Sequence, residues 1–271
     1  MPHSIDKNIA DLVNASGEAL GSSPIHKLDP RAKSIVVLLF VAAVTSFGKY
    51  EVSRLMPFVF YPVAITALSG VRAGTVVKRT LLAAPFILLV GLFNPLFDRE
   101  PLLRIGSFVV TGGWLSFLSI MLRAFFAVSG AVLLVLTTRF DHLCLGLEKM
   151  GVPQVFVTQL QFLYRYIGLL AGEAQRMLRA HDLRSGKNDR KISLSTYAPM
   201  LGTMLLRALD RATRIHRSML SRGFDGEVRL LQPLSFKSTT DGLFILVWGG
   251  FFLMCRFVNL PELLFFAVTG R

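Results

Sequence analysis

Two arginines stand beside glycines at what read as helix ends, Leu183-Arg184-Ser185-Gly186 and Ser221-Arg222-Gly223. A guanidinium offers fixed donors that pair bidentately with a carboxylate, so an arginine on a helix tip can pair with an acid. The plainer use of each motif is to stop a helix: glycine supplies the left-handed cap, and a cation in the last turn suits the negative end of the helix dipole. A third arginine, Arg123, falls near the middle of an apolar run. A charge at that depth costs about 2.5–3.5 kcal/mol on insertion scales, so its guanidinium is expected to face protein or an enclosed polar cavity.

The other residue types that do chemistry are not arranged for it. The histidines, at 3, 26, 142, 181 and 216, have no Cys or His partners at zinc spacing. Met1-Pro2-His3 would hold Cu or Ni through backbone nitrogens, but Pro2 has no amide hydrogen to lose. No Walker A loop, His-Glu-x-x-His or Gly-x-Ser-x-Gly occurs, and no paired acids lie within the apolar runs as a proton relay requires. No catalytic residue, metal site or cofactor is expected. Cys144 and Cys255 fall beside a cytoplasmic helix and inside a span respectively, so no disulfide is expected between them.

The elements that must position the arginines follow from composition. Of 271 residues, 52% are hydrophobic, and the mean hydropathy of +0.54 exceeds what a soluble domain of this length shows. Several apolar runs approach the roughly 20 residues needed to cross a bilayer. The first 33 residues are polar and lack the apolar core of a cleavable signal peptide. The net charge of +13 brings no zinc-finger, ribonucleoprotein or basic-zipper pattern, so nucleic acid is not an expected partner. Loops obeying the positive-inside rule explain the charge more simply, with anionic lipid headgroups adding about 1 kcal/mol per nearby Lys or Arg.

The expected fold is an all-α polytopic membrane protein with about five transmembrane helices and a helical cytoplasmic domain. Residues 1–33 form a cytoplasmic N-terminal segment, 34–138 carry transmembrane helices 1–4, 139–237 form the cytoplasmic domain, and 238–271 hold the last transmembrane helix. Asp29 is a natural N-cap and Pro30 a natural first helical residue. Spans are expected near 34–47, 55–68, 81–97, 114–137 and 243–257, with Pro57, Pro62, Pro85 and Pro95 interrupting the second and third. The piece 263–268 is too short to span alone. Loop charges alternate, with Arg72, Lys78 and Arg79 inside and the mixed loop 98–104 outside. Ser119, Arg123, Ala127 and Ala131 step by four and read as a strip for close helix approach.

Between Arg139 and Lys237, 16 Lys or Arg stand against 8 Asp or Glu, giving 16 − 8 = +8 of the chain's +13. A short helix, 141–150, is stopped by Gly151-Val152-Pro153, and a longer one covers 155–181. After the polar linker 187–195, an amphipathic run places Leu201, Met204, Leu205, Ala208, Ala212, Ile215 and Met219 on one stripe. Arg207, Arg211, Arg214 and Arg217 fall off it. A basic cytoplasmic lever with no energy source of its own implies a partner that has one.

His26-Lys27-Leu28-Asp29-Pro30-Arg31-Ala32-Lys33, the segment from Leu163-Tyr164-Arg165-Tyr166 through Glu173 and Arg176, and Ser221-Arg222-Gly223-Phe224-Asp225-Gly226 resemble the transmembrane T component of energy-coupling-factor ABC transporters. The likeness runs from about Ser23 to the end and is greatest to the CbiQ type of cobalt and nickel importers. The resemblance implies a non-catalytic scaffold in a bacterial inner membrane, N-terminus cytoplasmic, with residues 139–237 as the coupling-helix domain. Its implied partners are two ABC ATPase subunits, a substrate-binding membrane subunit of the S or CbiM-like type, a small accessory membrane subunit and the lipid bilayer. The family's paired Ala-Arg-Gly-like motifs carry over to Leu183-Arg184-Ser185 and Ser221-Arg222-Gly223, so Arg184, Ser185, Gly186, Ser221, Arg222 and Gly223 become the ATPase-coupling residues. Leu183 and Ser221 stand where alanine is usual, and Ser185 where glycine is common. A T component serving a vitamin is the alternative. A third reading is an intramembrane lipid-modifying enzyme, which requires Arg123, Arg165 and His142 to converge.

Overall fold

The computed structural model describes residues 21, 23–93, 101–105, 108–184, 194–226, 228 and 236–258. In chain order these form α1 (Pro30–Thr45), α2 (Val52–Leu55), a 3-10 turn (Met56–Val59), α3 (Phe60–Ser69), α4 (Ala73–Leu81), α5 (Ala84–Gly91), β1 (Pro101–Ile105) and β2 (Phe108–Thr111). Then follow α6 (Gly112–Thr137), α7 (Phe140–Lys149), α8 (Gln154–Arg184), α9 (Leu194–Leu220) and α10 (Ser238–Phe257). The chain is an all-α polytopic membrane protein. The exception to helix is an antiparallel ribbon pairing Pro101 with Thr111, in part of what the sequence reads as the loop 98–104.

The chain divides into two compact units, one within Leu147–Pro233 and the other within Ser16–Gly146 and Leu234–Arg271. In the second unit α1 starts where expected. The Asp29 carboxylate accepts from the Arg31 amide at 2.9 Å, and Pro30 follows the cap. Gly70 ends α3 at φ +71, a conformation a side chain would strain.

Three described helical stretches, rather than five, are long and apolar enough to cross a membrane: Val52–Ser69, Gly112–Thr137 and Ser238–Phe257. The pair α4 and α5, bent by 46°, makes a fourth if it counts as one span. Pro85 at the start of α5 removes a backbone donor at that bend. The run expected near 34–47 falls short because α1 has 16 residues and rises about 24 Å. Residues 94–97 and 263–268 lie outside the described residues.

Aromatic rings fill the core of this unit. Phe40 lies 4.5 Å from Tyr61 and 5.4 Å from Phe252, and Trp248 meets Tyr61 edge-on at 4.9 Å. Helix α6 closes over them at Gly130, where an added Cβ would sit 3.0 Å from Phe40 Cδ1. The strip expected on α6 is therefore corrected. Ser116, Ser119, Phe126, Gly130 and Leu133 are buried, whereas Ala127 is half-buried and Ala131 exposed. A strict step of four turns about 400° on a helix of 3.6 residues per turn, so it walks off any one face.

Candidate functional site

In the first unit, α8 follows Gly151 at φ +106 and Pro153, as the sequence requires. Helix α9 ends in a hydrogen-bonded glycine cap. The Phe224 amide donates to Met219 O and the Gly223 amide to Leu220 O, each at 3.0 Å, and Gly223 has φ +79. That is the Schellman pattern, in which backbone groups and glycine end the helix. The side chain of Arg222 takes no part in it and is exposed. Ser221 is exposed, and its hydroxyl donates back to Arg217 O on its own helix at 3.0 Å.

Arg184 is the last residue of α8 and is also exposed, next to Leu183 at 87% exposure. Among the described residues neither Arg184 nor Arg222 has a hydrogen-bond or ion-pair partner. Ser185 and Gly186 lie outside the described residues.

The helices run antiparallel. Phe224 packs on Phe162 at 6.3 Å between ring centres, and the Thr158 hydroxyl donates to Gly226 O at 3.3 Å. Further along α8, the Glu173 carboxylate accepts from Arg176 at 2.8 Å and from Arg207 of α9 at 3.1 Å, with Arg211 at 3.7 Å. The pairing order 158 with 226, 162 with 224 and 173 with 207 places the end of α9 beside the first turns of α8. Arg222 and Arg184 thus mark opposite ends of the pair, about 33 Å apart along α8 at 1.5 Å per residue.

Glu173 is the residue that sequence reasoning undervalued. It was visible only as part of a resembling segment, yet it joins both helices. The signal was a lone acid on a stretch whose neighbours are bases. Hydrogen bonds from Arg176 and then Arg207 hold its carboxyl below the usual range.

The stripe on α9 also divides. Met204, Ala208, Ile215 and Met219 are half-buried, whereas Leu201, Leu205 and Ala212 are exposed, together with Leu206 and Leu209. On α8, Phe156, Leu163 and Ile167 are exposed.

Arg123 sits in the other unit and serves the end of α1. Its guanidinium donates to Gly48 O and, at 2.8 Å, to Ser119 Oγ. Arg256 of α10, which the sequence did not single out, reaches the same turn. It donates to Ser46 Oγ at 3.2 Å and stacks over Phe47 at 4.9 Å. Two cations thus hold the turn that follows α1, near the negative end of its dipole. Arg123 lies some 14 residues of α6 from its end at Thr137, roughly 21 Å, and His142 follows beyond that end in α7. Arg123 and His142 therefore do not converge as a lipid-modifying site requires. His142 is held below its usual pKa by burial first and by Arg139 next. Among the described residues no three His, Cys, Asp or Glu side chains gather as a metal site.

A family model described as a cobalt transport protein, CbiQ, matches residues 21–234. The chain belongs to the CbiQ family. It is similar to an uncharacterized protein of Methanocaldococcus jannaschii, 23% identical over 96% of this chain and 95% of that one. The energy-coupling factor transporter transmembrane protein EcfT of Heliobacterium modesticaldum is 28% identical over 86% of this chain and 92% of its own length. A putative fused cobalt transport protein CbiMQ of Methanocorpusculum labreanum is 29% identical over 69% of this chain, which spans 30% of that longer protein. This CbiQ-family chain is a membrane component of a transporter of the energy-coupling-factor kind.

Proposed function

We propose that this chain is the scaffold of an energy-coupling-factor importer for cobalt or nickel, passing the motion of two ABC ATPases to a substrate-binding membrane subunit. The observation that carries the reading is the pair of exposed arginines at opposite ends of the α8/α9 hairpin. One tip for each of two ATPases gives a reason for two motifs in one chain. On this reading residues 139–237 and the N-terminus face the cytoplasm of a bacterial inner membrane. The ATPases hydrolyse ATP and this chain performs no chemistry. The uncovered residues of α8 and α9, among them Phe156, Leu163, Leu201 and Leu205, take the substrate-binding membrane subunit. The names of the CbiQ family and of the CbiMQ relative favour cobalt over a vitamin.

Co-purification from the native host tests the assembly: two ATPases and a metal-binding membrane subunit are expected, and a vitamin-binding subunit would redirect the substrate. Arginine variants test the site. Truncating one arginine of a buried interface pair costs about 2–5 kcal/mol, so Arg184→Ala or Arg222→Ala should weaken ATPase association or uncouple hydrolysis from uptake. The double variant should insert normally and lose transport, while Arg214→Ala should do much less. Parental uptake by the double variant, normalised to protein in the membrane, would leave Arg222 with no role beyond its place before the helix cap.

A further inference from the structure

Four segments meet at one end of the second unit around three buried charges. Asp29, Lys33 and Asp241 are 5%, 4% and 2% exposed. One Asp241 oxygen accepts from the Asp29 amide at 3.1 Å, and the other accepts from the Lys237 amide at 2.8 Å. A single carboxylate thus ties the starts of α1 and α10, 212 positions apart in the chain. The Lys33 ammonium, carried on the first turn of α1, donates to Thr137 O at 2.8 Å and to Thr138 Oγ1 at 3.4 Å, at the end of α6. In α7, Gly146 lies against α1, where an added Cβ would stand 3.3 Å from Pro30 Cβ.

These ties sit where the chain passes between its two units. It leaves the second unit after Gly146 and returns at Leu234, just before Lys237. A slack connection would absorb a displacement of α8 and α9. The first connection leaves from α7, which meets the start of α1 where Gly146 lies against Pro30, and α10 is tied to the same helix start by Asp241. Buried charges often add little net stability over apolar packing, so their use here is geometric.

We infer that Asp29, Lys33 and Asp241 are positioning residues: a rigid anchor through which movement of the α8/α9 unit is passed to α1, α6 and α10 together. The inference rests on the proposed scaffold role and adds the place where force enters the membrane helices. Asp241→Asn keeps the shape but only one acceptor for two amides. Uptake and ATP hydrolysis are measured on the reconstituted complex. The Asp241→Asn complex should retain its ATPases and their hydrolysis, while uptake per ATP falls about fivefold or more, the lower end of typical coupling between sites. Lys33→Arg, which keeps a charged donor, should retain more uptake per ATP than Lys33→Met. Parental uptake per ATP in Asp241→Asn, or uptake and hydrolysis falling in parallel, would overturn the anchor.

Should Asp241→Asn fail to assemble, hydrogen exchange on the parent complex decides. The Asp29 and Lys237 amides should exchange as slowly during ATP turnover as at rest, and faster exchange during turnover means the anchor opens and the inference is wrong. A parent chain that brings no ATPase defeats the scaffold role itself. A coupled parent with an equally coupled Asp241→Asn defeats only the anchor.

Discussion

Phe40 and Leu205 are both large apolar side chains on helices, yet Phe40 is 0% exposed and Leu205 61%. Their surroundings explain the difference. Phe40 belongs to an aromatic cluster drawn from α1, α3, α10 and the 3-10 turn, closed by α6 at Gly130. Leu205 lies on a hairpin in which, from 151 to 226, Val157 is the one described residue that is buried. The first region carries its own core. The described ties of the second include a glycine cap, a ring contact, the Thr158 hydrogen bond and a carboxylate among arginines, and Leu201, Leu205, Leu206 and Leu209 stay open. On the proposed scaffold role, other chains complete this two-helix unit.

The largest effect that tests this contrast comes from paired truncations. Phe40→Ala opens a cavity among rings that cannot collapse, with an expected cost of about 3 kcal/mol or more. Leu205→Ala on the isolated chain should change stability by no more than about 0.5 kcal/mol. Thermal unfolding of both variants in the same detergent measures the difference. Equal losses would mean that α9 is packed as tightly as the membrane helices.

The glycine cap comes next. Gly223 holds φ +79 with nothing within 4 Å of the place a Cβ would occupy, so Gly223→Ala meets backbone strain and no clash. The expected cost is about 1–2 kcal/mol, confined to the last turn of α9. Hydrogen exchange at the Gly223 and Phe224 amides should rise while exchange in α1 and α6 stays unchanged.

The smallest effect concerns Glu173. Its folded pKa lies below the unfolded value, so its contribution is fully present above the ordinary glutamate pKa of about 4.3. That contribution is lost as pH falls through the folded pKa. Distances between spin labels on α8 and α9 should therefore hold at neutral pH and broaden under acid. In Glu173→Gln the broadening should be present at neutral pH, with its acid dependence gone. Labels that report the same distances for parent and variant throughout would remove Glu173 from the hairpin's support.

Much of this arrangement could be read from the chain because its causes are local. Asp29 followed by Pro30 starts α1, Gly151 before Pro153 separates α7 from α8, and Gly223 ends α9. Such signals act within a turn of helix and survive any packing. The basic block was legible for the same reason, since charge is counted along the chain. The number of full-length spans was less legible. The end of α1 depends on a turn held by Arg123 and Arg256, two residues far apart in sequence.

What the sequence by itself determined is therefore the all-α membrane class, the helix boundaries set by caps and prolines, and the two arginines at the tips of α8 and α9. Tertiary structure alone decided which face of α6 is buried, that Glu173 meets Arg207 and Arg211, and that one carboxylate at Asp241 joins two helix starts. The physical reason is that a helical period fixes the angular order of side chains on one helix but not the direction in which its neighbour lies. A buried charge finds its partner only when packing brings distant segments together, as Lys33 finds Thr137.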